Sequence, residues 1–305
     1  MKRITAILAA VAMMAATVST ANAQGRLDKI RASGEVTLGY RDSSIPFSYL
    51  DDNQKPIGYS MDICHGIVAA LKKDLNLPDL RVKEVPVTSS TRIPLVANGT
   101  VDLACGSATN NAERQKQVSF APTTFVTATR FVALKSAHLK DLADFKGKTV
   151  VSTAGTSNLR WLTQTNAREK LGMRIIAAKD HSGAFLTVAS GRAVAFFMDD
   201  ILLAGLVANS RTPADWVISA KAYTIEPYGI IEPRGDGPFK TAVDNAVKAM
   251  MKDGTLKAIY AKWFTRPIPP KNINLNWPMS DELAKVVANP TDTPDPAHYM
   301  GHSRQ

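Results

Sequence analysis

Apolar residues along this chain follow two alternating periods. Short alternating or continuous apolar runs predict strands over 35–40, 80–85 and 101–105. Between them, apolar positions three and four apart predict a helix over 59–77. Ile63, Ile67, Val68, Leu71 and Leu75 form its stripe, and Ser60 is the expected N-cap. A short helix is expected over 90–98, closed by Gly99. The grammar then restarts, with strands over 148–153, 173–177 and 193–198 and helices over 157–171, 182–190 and 200–209. Two more helices are expected over 239–253 and 255–264. From Pro267 the chain turns polar and proline-rich and reads as a tail wrapping the surface. Strand and helix alternating through short connections imply an α/β fold with mostly parallel sheets.

Two stretches share a register. Residues 89–107 read SSTRIPLVANGTVDLACGS, and 181–199 read HSGAFLTVASGRAVAFFMD. In each, a polar residue opens a short helix, a glycine closes it and an apolar strand ends in a polar residue. Ser89 thus matches His181, Gly99 matches Gly191 and Ser107 matches Asp199. The pattern implies two lobes of similar construction. In open α/β sheets, ligands sit beyond the carboxyl ends of strands, near helix N-termini. Facing lobes would bring Ser89, Ser107, His181 and Asp199 to one cleft.

Composition narrows the class. The chain has 305 residues, of which 45% are hydrophobic and 21% charged, which excludes wholesale disorder and fits one large domain or two of ordinary size. The net charge of +10 raises nucleic acid as a partner. The basic residues are scattered, with no run of five and no stripe interleaved with aromatics, so no nucleic-acid partner is expected. Lys2 and Arg3 precede an apolar segment and the cleavage signal Ala21-Asn22-Ala23, so residues 1–23 read as a secretory signal peptide. No Cys follows the cleavage point, which argues against a lipid anchor. Export makes Cys64 and Cys105 a candidate disulfide, with two buried thiols as the alternative.

Several catalytic signatures are missing. There is no HExxH, CxxC or GxSxG, and Gly147-Lys148-Thr149 lacks the earlier glycine of a phosphate loop, having Leu142 there. Five histidines without ligand spacing give no zinc site. What remains is polar residues at strand ends and helix starts: Arg41, Ser89, Arg92, Ser107, Thr109, Arg114, Thr156, Ser157, His181 and Asp199. Singly, each arginine reads as a surface charge, each Ser or Thr as a cap, His181 as a capping or exposed residue and Asp199 as an N-cap. Those roles do not explain why all fall at one end of the sheets.

The stretches GYRDSSIPFSYLDD, PIGYSMDIC, VTSSTRIPLVANGTVDLACGSATNNAERQKQVSFA, FKGKTVVSTAGTSN, AKDHSGAF, SGRAVAFFMDDILLAG and KWFTRPIPPKNINLN cover nearly all of the chain after the signal segment. In them the sequence resembles the periplasmic solute-binding proteins of ABC transporters, polar amino acid family, and within it the glutamate/aspartate binders. The resemblance implies an α/β, two-lobed periplasmic binding protein fold without catalysis or cofactor. Lobe 1 would comprise 24–130 and 227–305 and lobe 2 would comprise 131–226, with hinge strands near 127–134 and 223–231. It implies L-glutamate or L-aspartate as ligand, an ABC permease as partner, a monomer and a periplasmic location.

Carried onto this chain, Arg114 with Thr109 and Ser157 would hold the α-carboxylate, and Ser107 with Asp199 the ammonium. Arg41, Ser89, Arg92 and His181 would hold the distal carboxylate. Ser157 stands where close relatives often carry Thr. The resemblance also implies that Cys64 and Cys105 tie a helix to a neighbouring strand. Guanidinium groups suit this ligand because their planar donors grip carboxylates in pairs with charge assistance. A distal carboxylate beside His181 would raise the histidine's pKa on binding. Two alternatives share the scaffold: a periplasmic dehydratase acting on a carboxylated ring, and a chemosensory binding protein that presents its ligand to a receptor.

Overall fold

The structure is a computed structural model describing residues 25–300. The expected signal peptide lies outside the described residues.

Two five-stranded sheets carry the molecule. The first orders its strands Arg81–Pro86, Glu35–Tyr40, Leu103–Ala104, Ile231–Pro233, Val118–Phe120. The second orders Arg174–Ala178, Thr149–Thr153, Phe196–Asp199, Thr129–Leu134, Trp216–Ile218. In each, the first three strands are parallel. The fourth, Ile231–Pro233 or Thr129–Leu134, runs antiparallel to both neighbours. The register shared by 89–107 and 181–199 is therefore a repeat of topology. Helix Arg92–Ala97 leads to strand Leu103–Ala104, as helix His181–Ala189 leads to Phe196–Asp199. The glycines between them, Gly99 and Gly191, both hold the left-handed backbone such a stop requires, with φ of 86° and 74°.

The chain passes between the two units through a two-stranded antiparallel ladder, Phe125–Thr127 with Glu226–Tyr228. The connecting strands expected at 127–134 and 223–231 overlap it only in part. Thr129–Leu134 belongs to the second sheet, because Phe131 and Ala133 pack into that unit's core with Phe145 and Phe197. On the other side, Phe125 and Tyr228 of the ladder pack against Phe47, with ring centroids 5.0 and 5.2 Å away, and Phe125 stacks on Phe264 at 4.9 Å. This aromatic cluster seats the ladder on the first unit.

Helices Gly237–Lys252 and Thr255–Phe264 return to the first unit and pack on helix Tyr59–Asp74. That last helix starts after Gly58, and Ser60 is not its cap. Buried inside the first turn, Ser60 donates its hydroxyl to the Gly106 carbonyl at 3.1 Å. Cys64 of the same helix is bonded to Cys105, with Cα atoms 6.2 Å apart. The two links pin the segment after Leu103–Ala104 to the helix.

Some elements were not expected. A helix spans Arg26–Ser33, and a small ribbon joins 43–44, 48–50 and 56–57. The tail is partly ordered into a helix, Asp281–Ala288. Ser280 caps it by accepting from the Leu283 N–H at 3.2 Å, and Leu283 and Val286 are buried. Beyond it, Thr291 and Asp292 offer carbonyls to the Thr123 N–H at 2.8 Å and the Asn110 side chain at 2.7 Å. Among the described residues, no helix is long and apolar enough to cross a membrane.

Candidate functional site

The carboxyl ends of the parallel strands meet between the two units. Arg41 follows strand Glu35–Tyr40, Ser89 and Arg92 follow Arg81–Pro86, and Ser107 and Thr109 follow Leu103–Ala104. From the second unit, Thr156 and Ser157 follow Thr149–Thr153, His181 follows Arg174–Ala178, and Asp199 ends its own strand. Ser89, Arg92, Ser107, Thr109, Arg114, Thr156, Ser157, His181 and Asp199 line one small, nearly filled cavity. Arg41 is not on its wall and reaches it through Ser89, donating to the hydroxyl at 2.9 Å. All ten expected residues are buried or nearly so.

The arginines are held from behind. Arg92 donates to the Ser107 carbonyl at 2.7 Å, and Arg114 to the carbonyls of Thr109 at 2.8 Å and Gly155 at 3.1 Å. Gly106 is what lets Arg41 pass. A Cβ there would lie 2.8 Å from Arg41 Cγ. Of the buried polar side-chain atoms without a partner among the described residues, four belong to the ten expected site residues: Arg41 Nη1, Arg92 Nε, Ser107 Oγ and His181 Nε2. Buried donors without acceptors are costly.

The electrostatics follow from burial. Desolvation lowers the Arg41 pKa to about 10 and lowers that of Arg114. It drives Arg92 well below the usual arginine value, with the Arg114 and Arg41 charges adding to it. His181 is driven well below 6.5 by burial and then by Arg41 and Arg92. It is therefore a neutral imidazole at neutral pH. Its Nδ1 lies 2.8 Å from the Thr153 hydroxyl. With that hydroxyl donating, Nε2–H is the free donor.

The negative pole is Asp199. It occupies the cap position of helix Asp200–Asn209 but makes no cap hydrogen bond. Its carboxylate instead accepts from Asn158 at 2.6 Å and from the Tyr228 hydroxyl. Burial, and then the Glu226 carboxylate, raise its pKa. Thr156 is a cap in full, accepting from the Leu159 N–H at 3.1 Å and donating to the Thr153 carbonyl at 2.6 Å. Ser157 lies 3.1 Å from the Thr109 hydroxyl and donates to Glu226 at 2.8 Å.

Sequence reasoning missed Asn158, Glu226 and Tyr228. Asn158 directly follows Ser157 in the first helical turn, which was a usable signal. Glu226 and Tyr228 lie in the connecting ladder and carry no motif. Among the described residues, no group of His, Cys, Asp or Glu is arranged to hold a metal ion.

The sequence profile of the bacterial extracellular solute-binding proteins, family 3, matches residues 36–266. The chain belongs to that family. This family 3 solute-binding protein is 53% identical over 289 residues to the "L-glutamate/L-aspartate-binding protein" of Pseudomonas aeruginosa, across 94% of this chain and 95% of that one. It is 48% identical over 266 residues to the "Glutamate/aspartate import solute-binding protein" of Escherichia coli K12, across 87% and 88% of the two chains. A crystal structure of a mutant of ArgBP from T. maritima matches with a TM-score of 0.70 at 25% identity, over 78% of this chain and 98% of that one. These relatives are solute-binding proteins rather than enzymes, and so is this family 3 member.

Proposed function

We propose that this protein captures L-glutamate or L-aspartate in the cavity between its two units and delivers it to an ABC permease. One observation carries the reading. Arg92, Ser107 and His181, from three separate stretches, bring buried unpartnered polar atoms to one cavity, and Arg41 adds a fourth from behind Ser89. The buried carboxylate of Asp199 lies on the same cavity. A dicarboxylate with an ammonium group satisfies all of them at once. The names of the two relatives support the same ligand class.

In this reading Arg114, with Thr109 and Ser157, holds the α-carboxylate. Ser107 and Asp199 take the ammonium, and Arg41, Ser89, Arg92 and His181 take the distal carboxylate. Thr156 caps the helix whose N-terminus faces the cavity. Glutamine would leave part of the distal cluster unpaired in a dry site, so it binds about a hundredfold more weakly or worse. The two units divide at the ladder Phe125–Thr127 with Glu226–Tyr228, the second taking up the strand Thr129–Leu134. They turn about the ladder, and the ligand, touching both, selects the closed form. Residues 1–23 direct export to the periplasm, where the protein works as a monomer.

A thermal-shift screen of the twenty amino acids tests the ligand. Glutamate and aspartate raise the midpoint and glutamine does not, since ligand well above its dissociation constant adds about 2–4 kcal/mol. Stabilisation by arginine or glutamine, with none by the acidic pair, would overturn the reading. Small-angle scattering with and without glutamate tests closure.

A further inference from the structure

Glu226 lies in the connecting ladder, buried, and has no role in the site as carried over from the family resemblance. Its oxygens end two chains of hydroxyl groups. On one side, Ser157 donates to Oε2 at 2.8 Å, and the Thr109 hydroxyl lies 3.1 Å from Ser157. On the other, Thr224 Oγ1 lies 2.7 Å from Glu226 Oε1 and 2.7 Å from Thr129 Oγ1, while the Asn158 amide donates to Thr129 at 2.8 Å.

A carboxylate only accepts, and each hydroxyl has one proton. The Ser157 proton goes to Glu226, so Ser157 can only accept from Thr109, and the Thr109 proton goes to Ser157. On the other limb Thr224 and Thr129 both turn toward Glu226 Oε1 as donors, at 2.7 and 3.5 Å. Both chains thus point toward Glu226. Thr109 and Ser157 have no proton left for a ligand carboxylate. Thr109 faces the cavity with lone pairs, which suit an N–H donor.

We propose that Glu226 is a positioning residue that fixes this polarity, so that the Thr109 hydroxyl serves the ligand's ammonium and leaves the α-carboxylate to Arg114. The assignment rests on the acidic-amino-acid reading above and refines the part Thr109 and Ser157 play in it. It also accounts for a second carboxylate buried so near Asp199, whose pKa it helps to raise. An ammonium then meets one charge directly in Asp199 and a second through two hydroxyls.

The test compares L-glutamate with glutarate, which lacks the ammonium, by calorimetry and competition in wild type and in Glu226→Gln. The amide can donate to Ser157, which frees the Thr109 proton to turn into the cavity. The expected result is that the ratio of glutamate to glutarate affinity falls about tenfold in Glu226→Gln, the scale of one hydrogen bond to a charged group. Should that variant fail to fold, Ser157→Ala cuts the same relay, and the ratio is expected to fall in the same direction. Equal weakening of both ligands, or an unchanged ratio including no detectable glutarate in either protein, would make Glu226 a merely structural carboxylate and overturn the assignment. If wild type binds neither acid, the acidic-ligand reading itself fails, and this assignment with it.

Discussion

The Arg114 guanidinium donates at 3.1 Å to the carbonyl oxygen of Gly155, joining the first unit to the loop after strand Thr149–Thr153 of the second. The same guanidinium also holds the Thr109 carbonyl at 2.8 Å. One side chain therefore shapes the cavity wall and latches the two units. Ligand affinity and closure should be hard to separate at this point.

Gly155 makes the latch testable. It adopts φ of 75°, and a Cβ there would lie 2.6 Å from both the Cα and the N of Ser90 in the opposite unit. Neither atom is the end of a flexible side chain, so the backbones must part. Gly155→Ala is expected to weaken ligand binding at least tenfold. The left-handed backbone itself adds about 1–2 kcal/mol of strain. Scattering should show an envelope that no longer compacts with ligand. Wild-type affinity with normal compaction would contradict the close approach.

Arg92 combines function with a stability cost. Its guanidinium is buried, its Nε has no partner among the described residues, and the Arg114 and Arg41 charges oppose its own. Replacing such a group with an apolar side chain of similar volume often stabilises a protein. Arg92→Met is expected to raise the unliganded melting temperature by about 2–4 °C per kcal/mol gained, and to lower acidic-ligand affinity a hundredfold or more. Calorimetric melting and binding titrations check the two halves separately.

Asp199 predicts a proton signature. Burial raises its pKa to about 8 in the folded protein. The neutral acid cannot pair with an ammonium, so ligand binding drives the proton off. Below pH 8 binding should release up to one proton, and affinity should rise with pH until about 8. Calorimetry in buffers of different ionisation enthalpy measures the release, which Asp199→Asn abolishes. The sign for folding is opposite. A raised folded pKa favours the folded state below the unfolded value, near 4, and that contribution is lost as pH rises through about 8.

His181 adds little to that profile. Starting well below 6.5, it is a neutral donor across pH 7 to 9. His181→Ala should weaken glutamate binding by a constant factor there. A ligand carboxylate raises its pKa from this low start, so any proton uptake belongs to the acid side. A His181-dependent slope between pH 7 and 9 would show that the imidazole is charged in the complex.

The disulfide closes a loop between residues 41 apart in sequence. By the chain-entropy account, a loop of that size stabilises by about 4 kcal/mol. Replacing both Cys64 and Cys105 with serine should lower the melting temperature by several degrees. Ligand affinity should fall less, since Ser60 still holds the Gly106 carbonyl. A chemical denaturation series with and without reductant measures it.

Much of this molecule was written in the order of its residues. Strand and helix periods marked both sheets, and the paired register of 89–107 and 181–199 announced their common topology. The ten polar residues at strand ends could be named because chain direction in a parallel sheet already says which end of each strand faces a ligand. The helix Asp281–Ala288 falls in the stretch expected as tail, although Ser280, the acidic turn after it and the pair Leu283 and Val286 were there to mark it. What the order of residues did not contain was the company each polar group keeps. Only the fold brought Glu226 to Ser157, Tyr228 to Asp199 and Gly155 to Ser90. Only burial, with the neighbouring charges the fold supplies, made His181 neutral and Asp199 a weak acid. Periodicity is a local property of the backbone, whereas desolvation and hydrogen-bond polarity depend on neighbours that are distant in sequence until the chain closes on itself.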